Sequence, residues 1–376
     1  MNWNLRVRRL IMPTLVMTLT GTLVVAGGAT VASAVKTKRP TDVVVKVETP
    51  PTANVTETGS TLLYPLWNSW APAYQQKFHQ VSITTGATGS GTGIADAASG
   101  TVNIGSSDAY LSSSTRQANP TLVNIPLAIS YQLVTYNVTG VQAHLRLNGS
   151  VLAAIYEGQI TNWDDPAIAA LNTSVKMPNL PIVALHRSDG SGDTFIFSQY
   201  LSRQDSKWNS TIGYGTTVPW PAIPNALGEA GNSGMVSGCA ATAGCIAYVG
   251  VSYLSYVLNN GLSYGALRNG TGQYELPNAT TVAAEAAAYQ KITPANETIS
   301  MVNGRVKGGY PIVNYEYAIV NKKQSSAGTA RAIRSVLEWA INEKDGNATQ
   351  YLDQVRFRAL PAKVRAESWK QILAIK

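Results

Sequence analysis

The chain has 376 residues, only 13% of them charged, with a formal net charge of +8. That length allows two domains or one large one, and excludes a disulfide-stapled miniprotein. No 20–50-residue unit repeats, no heptad run is present, and no Lys/Arg cluster interleaves with aromatics, so a solenoid, a coiled coil and a nucleic-acid binder are set aside.

The first 34 residues read as an export signal. Arg6, Arg8 and Arg9 are a basic start, an apolar stretch follows from Leu10, and Ala32-Ser33-Ala34 offers a small-residue cleavage site. The same stretch is long enough to serve, uncleaved, as a membrane anchor. Val25-Ala26-Gly27 is followed by Gly28, so no lipobox cysteine is available for a lipid. Without residues 1–34 the net charge falls to +5. Residues 35–56, rich in Pro, Thr and Val, read as a tether.

Thr58–Pro65 is expected to be a loop, and Leu66–Phe78 an amphipathic helix with Trp67, Trp70 and Tyr74 on its apolar side. Val81–Thr85 alternates as a strand. Gly86–Gly93 is a Gly/Thr/Ser loop, Ile94–Ala98 a helix, and Val102–Gly105 a strand that ends at Ser106-Ser107-Asp108. Ile125–Tyr136 is a longer apolar strand. Val151–Tyr156 and Pro166–Leu171 are helical, the second opened by the capped start Thr161–Pro166. Ile182–Leu185 reads as a buried strand leading into Arg187, Phe195–Tyr200 as a helix and Cys245–Val249 as a strand. Tyr310–Val320 is strand-like, and Ala327–Glu343 a clear amphipathic helix. This alternation predicts α/β layering, with loops gathered at one sheet edge where such folds place ligands.

The densest polar chemistry lies between Arg187 and Asp193, where one Arg, two Asp, two Gly and two Ser precede the apolar Phe195-Ile196-Phe197. A helix start offers unpaired backbone N–H groups and the positive end of the helix dipole, so it suits an anion. Arg187 adds a planar cation that can form paired bonds to an oxyanion. Asp189 is expected to orient Arg187 and not to touch ligand. Two other polar loops, Ser60–Leu62 and Ser90–Gly93 with Asp108, share the small residues that let backbone N–H groups approach a ligand. Cys239 and Cys245 are the only cysteines, and in an exported chain they are expected to form a disulfide. His79, His144 and His186 are isolated and read as structural.

Four of these segments resemble the phosphate-binding proteins (PstS) of high-affinity phosphate ABC importers, closest to the actinobacterial branch. They are Gly59-Ser60-Thr61-Leu62, Thr88-Gly89-Ser90-Gly91-Thr92-Gly93, Ile104-Gly105-Ser106-Ser107-Asp108-Ala109 and Arg187–Thr194. Trp163-Asp164-Asp165-Pro166, Gly244–Val249 and Tyr310–Tyr315 fall where that family has matching segments, and the resemblance spans about residues 57–376. It implies an α/β, two-lobed periplasmic-binding-protein-like fold of type II, with the ligand cleft between lobes joined by hinge strands. Residues 57–134 with 312–376 would form lobe 1 and residues 135–311 lobe 2, with hinges near Val134–Tyr136 and Tyr310–Val313.

The resemblance further implies a phosphate site. Thr61 and Leu62 would donate backbone N–H groups, joined by Ser60, and Ser90 would donate from the Gly-rich loop. Arg187 would pair with the anion, while Ser191, Gly192 and Asp193 would donate from the helix start. Asp108 would accept a hydrogen bond from the proton that phosphate keeps near neutral pH and sulfate lacks. Asp193 departs from the family pattern, which has Thr there, and Leu62 stands where many relatives have an aromatic. The implied partners are inorganic phosphate and the permease and ATPase subunits of an ABC importer. No cofactor, catalysis or nucleic acid is implied, and the chain is expected to be an extracytoplasmic monomer. A secreted phosphatase or hydrolase would need a G-x-S-x-G elbow or a metal cluster, which the sequence lacks. A surface-attached phosphate sensor or adhesin could use the same fold without a transporter.

Overall fold

The computed structural model describes residues 44–376 except Gln142. The expected export signal, 1–34, and the first part of the expected tether lie outside the described residues. Among those described, no helix is long and apolar enough to cross a membrane.

The strands in chain order are β1 (Ala53–Gly59), β2 (Val81–Thr84), β3 (Ile104–Ser107), β4 (Leu122–Tyr136), β5 (Arg146–Leu147), β6 (Val183–Arg187), β7 (Leu227–Glu229), β8 (Cys245–Gly250), β9 (Ser263–Tyr264), β10 (Ala266–Arg268), β11 (Tyr274–Glu275) and β12 (Val313–Asn321). One sheet runs β2-β1-β3-β12-β4-β8-β6-β7, with β9 added on β4, and a small sheet runs β11-β10-β5. β2, β1 and β3 are mutually parallel, as are β8, β6 and β7. Each parallel trio reaches the other through the antiparallel pair β12 and β4. The result is two similar α/β halves that share long strands. Parallel strands turn over to helices at their carboxyl ends, and the two trios run in opposite directions, so Ser60 and Asp108 emerge at the carboxyl edge of one half and the Arg187 loop at that of the other.

β4 carries the connection. Its residues up to Tyr131 pair with β12 and those from Gln132 onward pair with β8. That change of partner comes ahead of the expected 134/135 boundary. The strand is one nearly unbroken apolar run, so nothing in its sequence marks the crossing. Beside it, Gln132 donates its backbone N–H to Ile312 O at 3.1 Å, and the Tyr310 hydroxyl donates to Gln132 O at 2.7 Å.

Two expectations need correction. Part of the stretch read as tether, from Ala53, is β1, which sits between β2 and β3, and Val45 ahead of it is buried. Its polar alternation, Ala53-Asn-Val-Thr-Glu-Thr-Gly59, hides a strand in which Val55 and Glu57 both point inward. The helices at the polar loops also begin earlier than their apolar runs suggested, at Ser90 and at Gly192. Polar first turns are normal where N-terminal N–H groups are turned to other use.

Each half has its own aromatic core. In the first, the helix Tyr64–Lys77 opens on Pro65, whose missing N–H costs nothing at a helix start. It buries Leu66, Trp67, Trp70, Ala71 and Tyr74, the spacing of a single helical face. Trp70 meets Trp67 and Trp339 edge-on at 5.4 and 6.4 Å. In the second, Phe197 stacks on Tyr248 at 4.5 Å and Tyr156 packs against Phe197 at 5.1 Å. Each such side chain stabilises by about 1.5–3 kcal/mol through burial. His186 stacks on Trp220 at 5.0 Å, a structural role as expected. Cys239, on the helix Gly231–Ala241, is joined to Cys245 at the start of β8 by the expected disulfide.

Candidate functional site

β6 ends at Arg187, and the chain turns through Ser188–Ser191 into the helix Gly192–Gln204. Ser191 caps that helix, its Oγ accepting the Thr194 N–H at 3.2 Å. Arg187 is buried. Its Nε and Nη2 donate to the two Asp189 oxygens at 2.6 and 2.5 Å, and its Nη1 donates to Asp193 Oδ2 at 3.1 Å. Asp189 thus orients Arg187 as anticipated. Three of the five guanidinium N–H donors are committed, and two are left to point elsewhere.

Asp193 is fully buried and surrounded by donors. Gln132 Nε2 reaches its Oδ1 at 3.0 Å, and Asn232 Nδ2 reaches its Oδ2 at 2.6 Å. Burial and the neighbouring Asp108 push its carboxyl up to about 7, against the pull of Arg187, Gln132 and Asn232. The Tyr248 hydroxyl accepts the Arg187 backbone N–H at 2.9 Å and fixes the strand end.

The other half contributes hydroxyls, amides and an acid. Ser60, just past β1, donates its hydroxyl to Asp108 Oδ1 and accepts the Leu63 N–H at 2.9 Å. Asp108, just past β3, donates its backbone N–H to Ser90 Oγ at 3.2 Å. Burial first, then the Glu316 carboxyl beside it, lifts the Asp108 carboxyl well above the ordinary carboxylate range, and Ser60 and Arg187 offset this in part. Leu62 places its side chain in the core and its carbonyl under the Ser252 hydroxyl, so only its amide is free for a ligand.

The two halves meet at these loops. Gly91 N–H donates to Gly190 O at 2.8 Å. Asn232 Nδ2 donates to Thr61 Oγ1 of the other half at 2.9 Å and to Asp193 Oδ2 of its own half. A Cβ on Gly192 would collide with Asp108 Oδ2 and Ser90 Oγ, so only glycine allows this approach. Gly89 has φ +91°, a left-handed value that glycine adopts without strain. Among the described residues, the amide N–H groups of Thr61, Leu62, Ser90, Gly192 and Asp193 have no protein acceptor. Ser60, Thr61, Leu62, Ser90, Asp108, Arg187, Ser191, Gly192 and Asp193 are therefore brought to one buried junction. Unpaired amide donors gathered at one buried junction with a guanidinium suit a tetrahedral oxyanion.

Sequence reasoning missed four residues here. Asn232 lies in Gly231-Asn232-Ser233-Gly234, a small polar segment of the same kind as the loops that were recognised. Gln132, Tyr248 and Glu316 sit inside apolar strands, where pattern alone assigns them to the core.

Comparison with known proteins follows this geometry. The sequence model of the PBP superfamily domain matches residues 44–344. The phosphate-binding protein PstS of Xylella fastidiosa (strain Temecula1) is 33% identical over 317 residues, 81% of this chain and 84% of that one. Phosphate-binding protein PstS 2 of Mycobacterium tuberculosis is 28% identical, covering 84% of this chain and 86% of its own. These identities give no preference to the actinobacterial branch. A solved structure of the phosphate-binding protein from Stenotrophomonas maltophilia superposes with a TM-score of 0.64 at 18% identity, over 84% of this chain and 93% of that one. That likeness establishes the two-lobed α/β fold.

Proposed function

The chain belongs to the PstS family of phosphate-binding proteins within the PBP superfamily, and from that premise we propose that its two halves close on inorganic phosphate at the Arg187–Asp108 junction. It is a solute-binding protein that captures phosphate outside the cytoplasm for an ABC-type importer. What supports the site assignment is that five buried amide N–H groups from three loops lack a protein acceptor and lie in the hydrogen-bonded junction that holds Arg187 and Asp108.

Binding divides into three tasks. Gly192 and Asp193, at the first turn of their helix, and Ser90, at the first turn of its own, donate N–H groups along the helix dipoles. Thr61 and Leu62 donate from the turn after β1. Arg187, oriented by Asp189, turns its two remaining N–H groups to the anion. Asp108 reads the anion's proton. A carboxylate accepts only, so it bonds to the P–O–H of hydrogenphosphate and repels sulfate, which has no proton to offer. An unpaired buried acceptor costs about 1–3 kcal/mol, more when charged. The Asp193 side chain is engaged with Arg187, Gln132 and Asn232, so this residue serves the ligand through its backbone.

The permease and ATPase of the importer are the proposed partners, and the chain acts as an extracytoplasmic monomer with no turnover. Isothermal titration of the exported protein with phosphate and with sulfate tests the reading. Tight phosphate binding with weak sulfate binding is expected. Absence of phosphate binding overturns the function, and equal sulfate affinity overturns the role given to Asp108. Sustained hydrolysis of p-nitrophenyl phosphate, lost in Ser191→Ala, would replace it with an enzyme.

A further inference from the structure

Behind Asp108 lies a second acid. β3 and β12 run antiparallel with Tyr317 opposite Ser107. Asp108 and Glu316 each lie one residue beyond that last pair, where the ladder ends. β12 slips its register against β4 between Glu316 and Tyr317, a bulge of the kind that re-aims a side chain. One side-chain amide ties the two acids together. Asn314 Nδ2 donates to Asp108 O at 3.3 Å and to Glu316 Oε1 at 3.0 Å. The Ser130 hydroxyl also donates to Glu316 Oε1. Glu316 is fully buried, and no hydroxyl or N–H among the described residues reaches its Oε2. The Glu316 carboxyl is a close neighbour of Asp108 and adds to burial in lifting it, so two ionised carboxylates here would repel each other unless one of them held a proton.

We propose that Glu316 is a positioning residue for anion recognition: it shares one proton with Asp108, taken from solvent as phosphate enters, so that phosphate capture and proton uptake are coupled. The proposal rests on Asp108 facing the anion, as above.

The surrounding charges argue for this. Among the described residues Arg187 is the cation that bears on Asp108, and it is already outnumbered by Asp189 and Asp193. Asp193 bears on Glu316 as well. Ser130 and Asn314, the other groups packed on Glu316, are neutral. A dianion arriving beside two ionised acids meets their full repulsion. One proton from solvent reduces the pair's charge from −2 to −1 and leaves an ionised oxygen to accept from the P–O–H. By linkage, the anion's charge strengthens the pair's hold on that proton, and the proton strengthens the hold on the anion equally. Burial already lifts both acids, Glu316 to about 7 and Asp108 well above the ordinary carboxylate range. The direction follows: affinity declines as pH rises through the range where the free pair loses its proton. This decline adds to any effect of phosphate's own titration.

The experiment is isothermal titration of the full exported chain with inorganic phosphate, in buffers of different ionisation enthalpy, from about pH 6 to about pH 9. The wild type is expected to take up a fraction approaching about one proton per phosphate above neutrality, where the ligand is already the dianion. Glu316→Gln, an isosteric stand-in for the protonated acid, is expected to lose that uptake. Identical proton counts in both proteins at every pH overturn the proposal. A wild type that gives no phosphate-binding heat overturns the underlying reading instead. Should Glu316→Gln not fold, infrared difference spectra of the wild type decide the matter. Phosphate addition is expected to produce a gain in the carboxylic-acid C=O band, and its absence overturns the coupling.

Discussion

The two halves of the site solve different problems with different chemistry. The half that carries Arg187 is saturated with bonds before any ligand is considered. Arg187 is gripped by Asp189 and Asp193, and Asp193 in turn by Gln132 and Asn232. The half that carries Asp108 offers an acid beside another acid, with Ser60 and Ser90 bound to it. The first half supplies rigid donors whose one cation already faces two acids, so it holds an anion by orientation and not by net attraction. The second supplies an acceptor whose only use is to recognise a proton. Affinity should therefore depend mostly on the first half and discrimination on the second.

The strongest way to break that division is Arg187→Ala. It removes two donors to the anion and leaves Asp189 and Asp193 facing each other without their common partner. Truncating one member of a buried charge pair costs about 2–5 kcal/mol. The measured phosphate Kd should weaken more than about a hundredfold, with sulfate affinity falling in parallel. A loss of tenfold or less would show that the amides alone hold the ligand. Next in size is Asp108→Asn. Its phosphate loss should stay near the 1–3 kcal/mol of a lost charged acceptor. Sulfate affinity should rise, because the new amide can donate where the carboxylate repelled. Competition titration checks this, and a variant that still rejects sulfate fully would move discrimination to the first half.

How far this division could be read beforehand differs between the two halves. The Arg187 loop was legible because its chemistry is contiguous: cation, turn, cap and helix start within a few residues. The Asp108 half was legible only as separate fragments, brought together by family resemblance. Its partner Glu316 was hidden, because in Tyr315-Glu316-Tyr317 one acid among aromatics gives no signal until β12 pairs with β3, with Tyr317 opposite Ser107, one residue from Asp108. β1 escaped for a related reason. Its first residues, Ala53–Thr56, fell within the stretch read as tether, yet the strand pairs on both sides and buries Val55, Glu57 and Thr58. Gln132 and Asn232 serve the site through side-chain bonds to residues far away in the chain, which local patterns do not encode.

Asn232→Ala tests the seam between the halves. Its side chain links Thr61 of one half to Asp193 of the other, and its Oδ1 accepts the Gly250 N–H at 2.7 Å. Loss of a buried bridging amide should cost about 1–2 kcal/mol of phosphate affinity. Most of that should fall on the dissociation rate, since the bridge exists only when the halves are together. A stopped-flow release measurement that shows an altered on-rate and an unchanged off-rate would contradict a bridging role.

The smallest effect is expected for Ser90→Ala, and it is the most diagnostic of how the second half works. Ser90 contributes two groups: an amide at the first turn of its helix, and a hydroxyl whose oxygen accepts the Asp108 N–H at 3.2 Å. Alanine keeps the amide and removes only the hydroxyl. If the amide is what the anion meets, the loss is that of one neutral hydrogen bond, about 0.5–1.5 kcal/mol. Because the hydroxyl also braces the turn that aims Asp108, the change should appear more in the phosphate-to-sulfate ratio than in phosphate affinity. A phosphate loss comparable to that of Arg187→Ala would mean that the hydroxyl itself grips the anion, and the second half would then share in affinity as much as in discrimination.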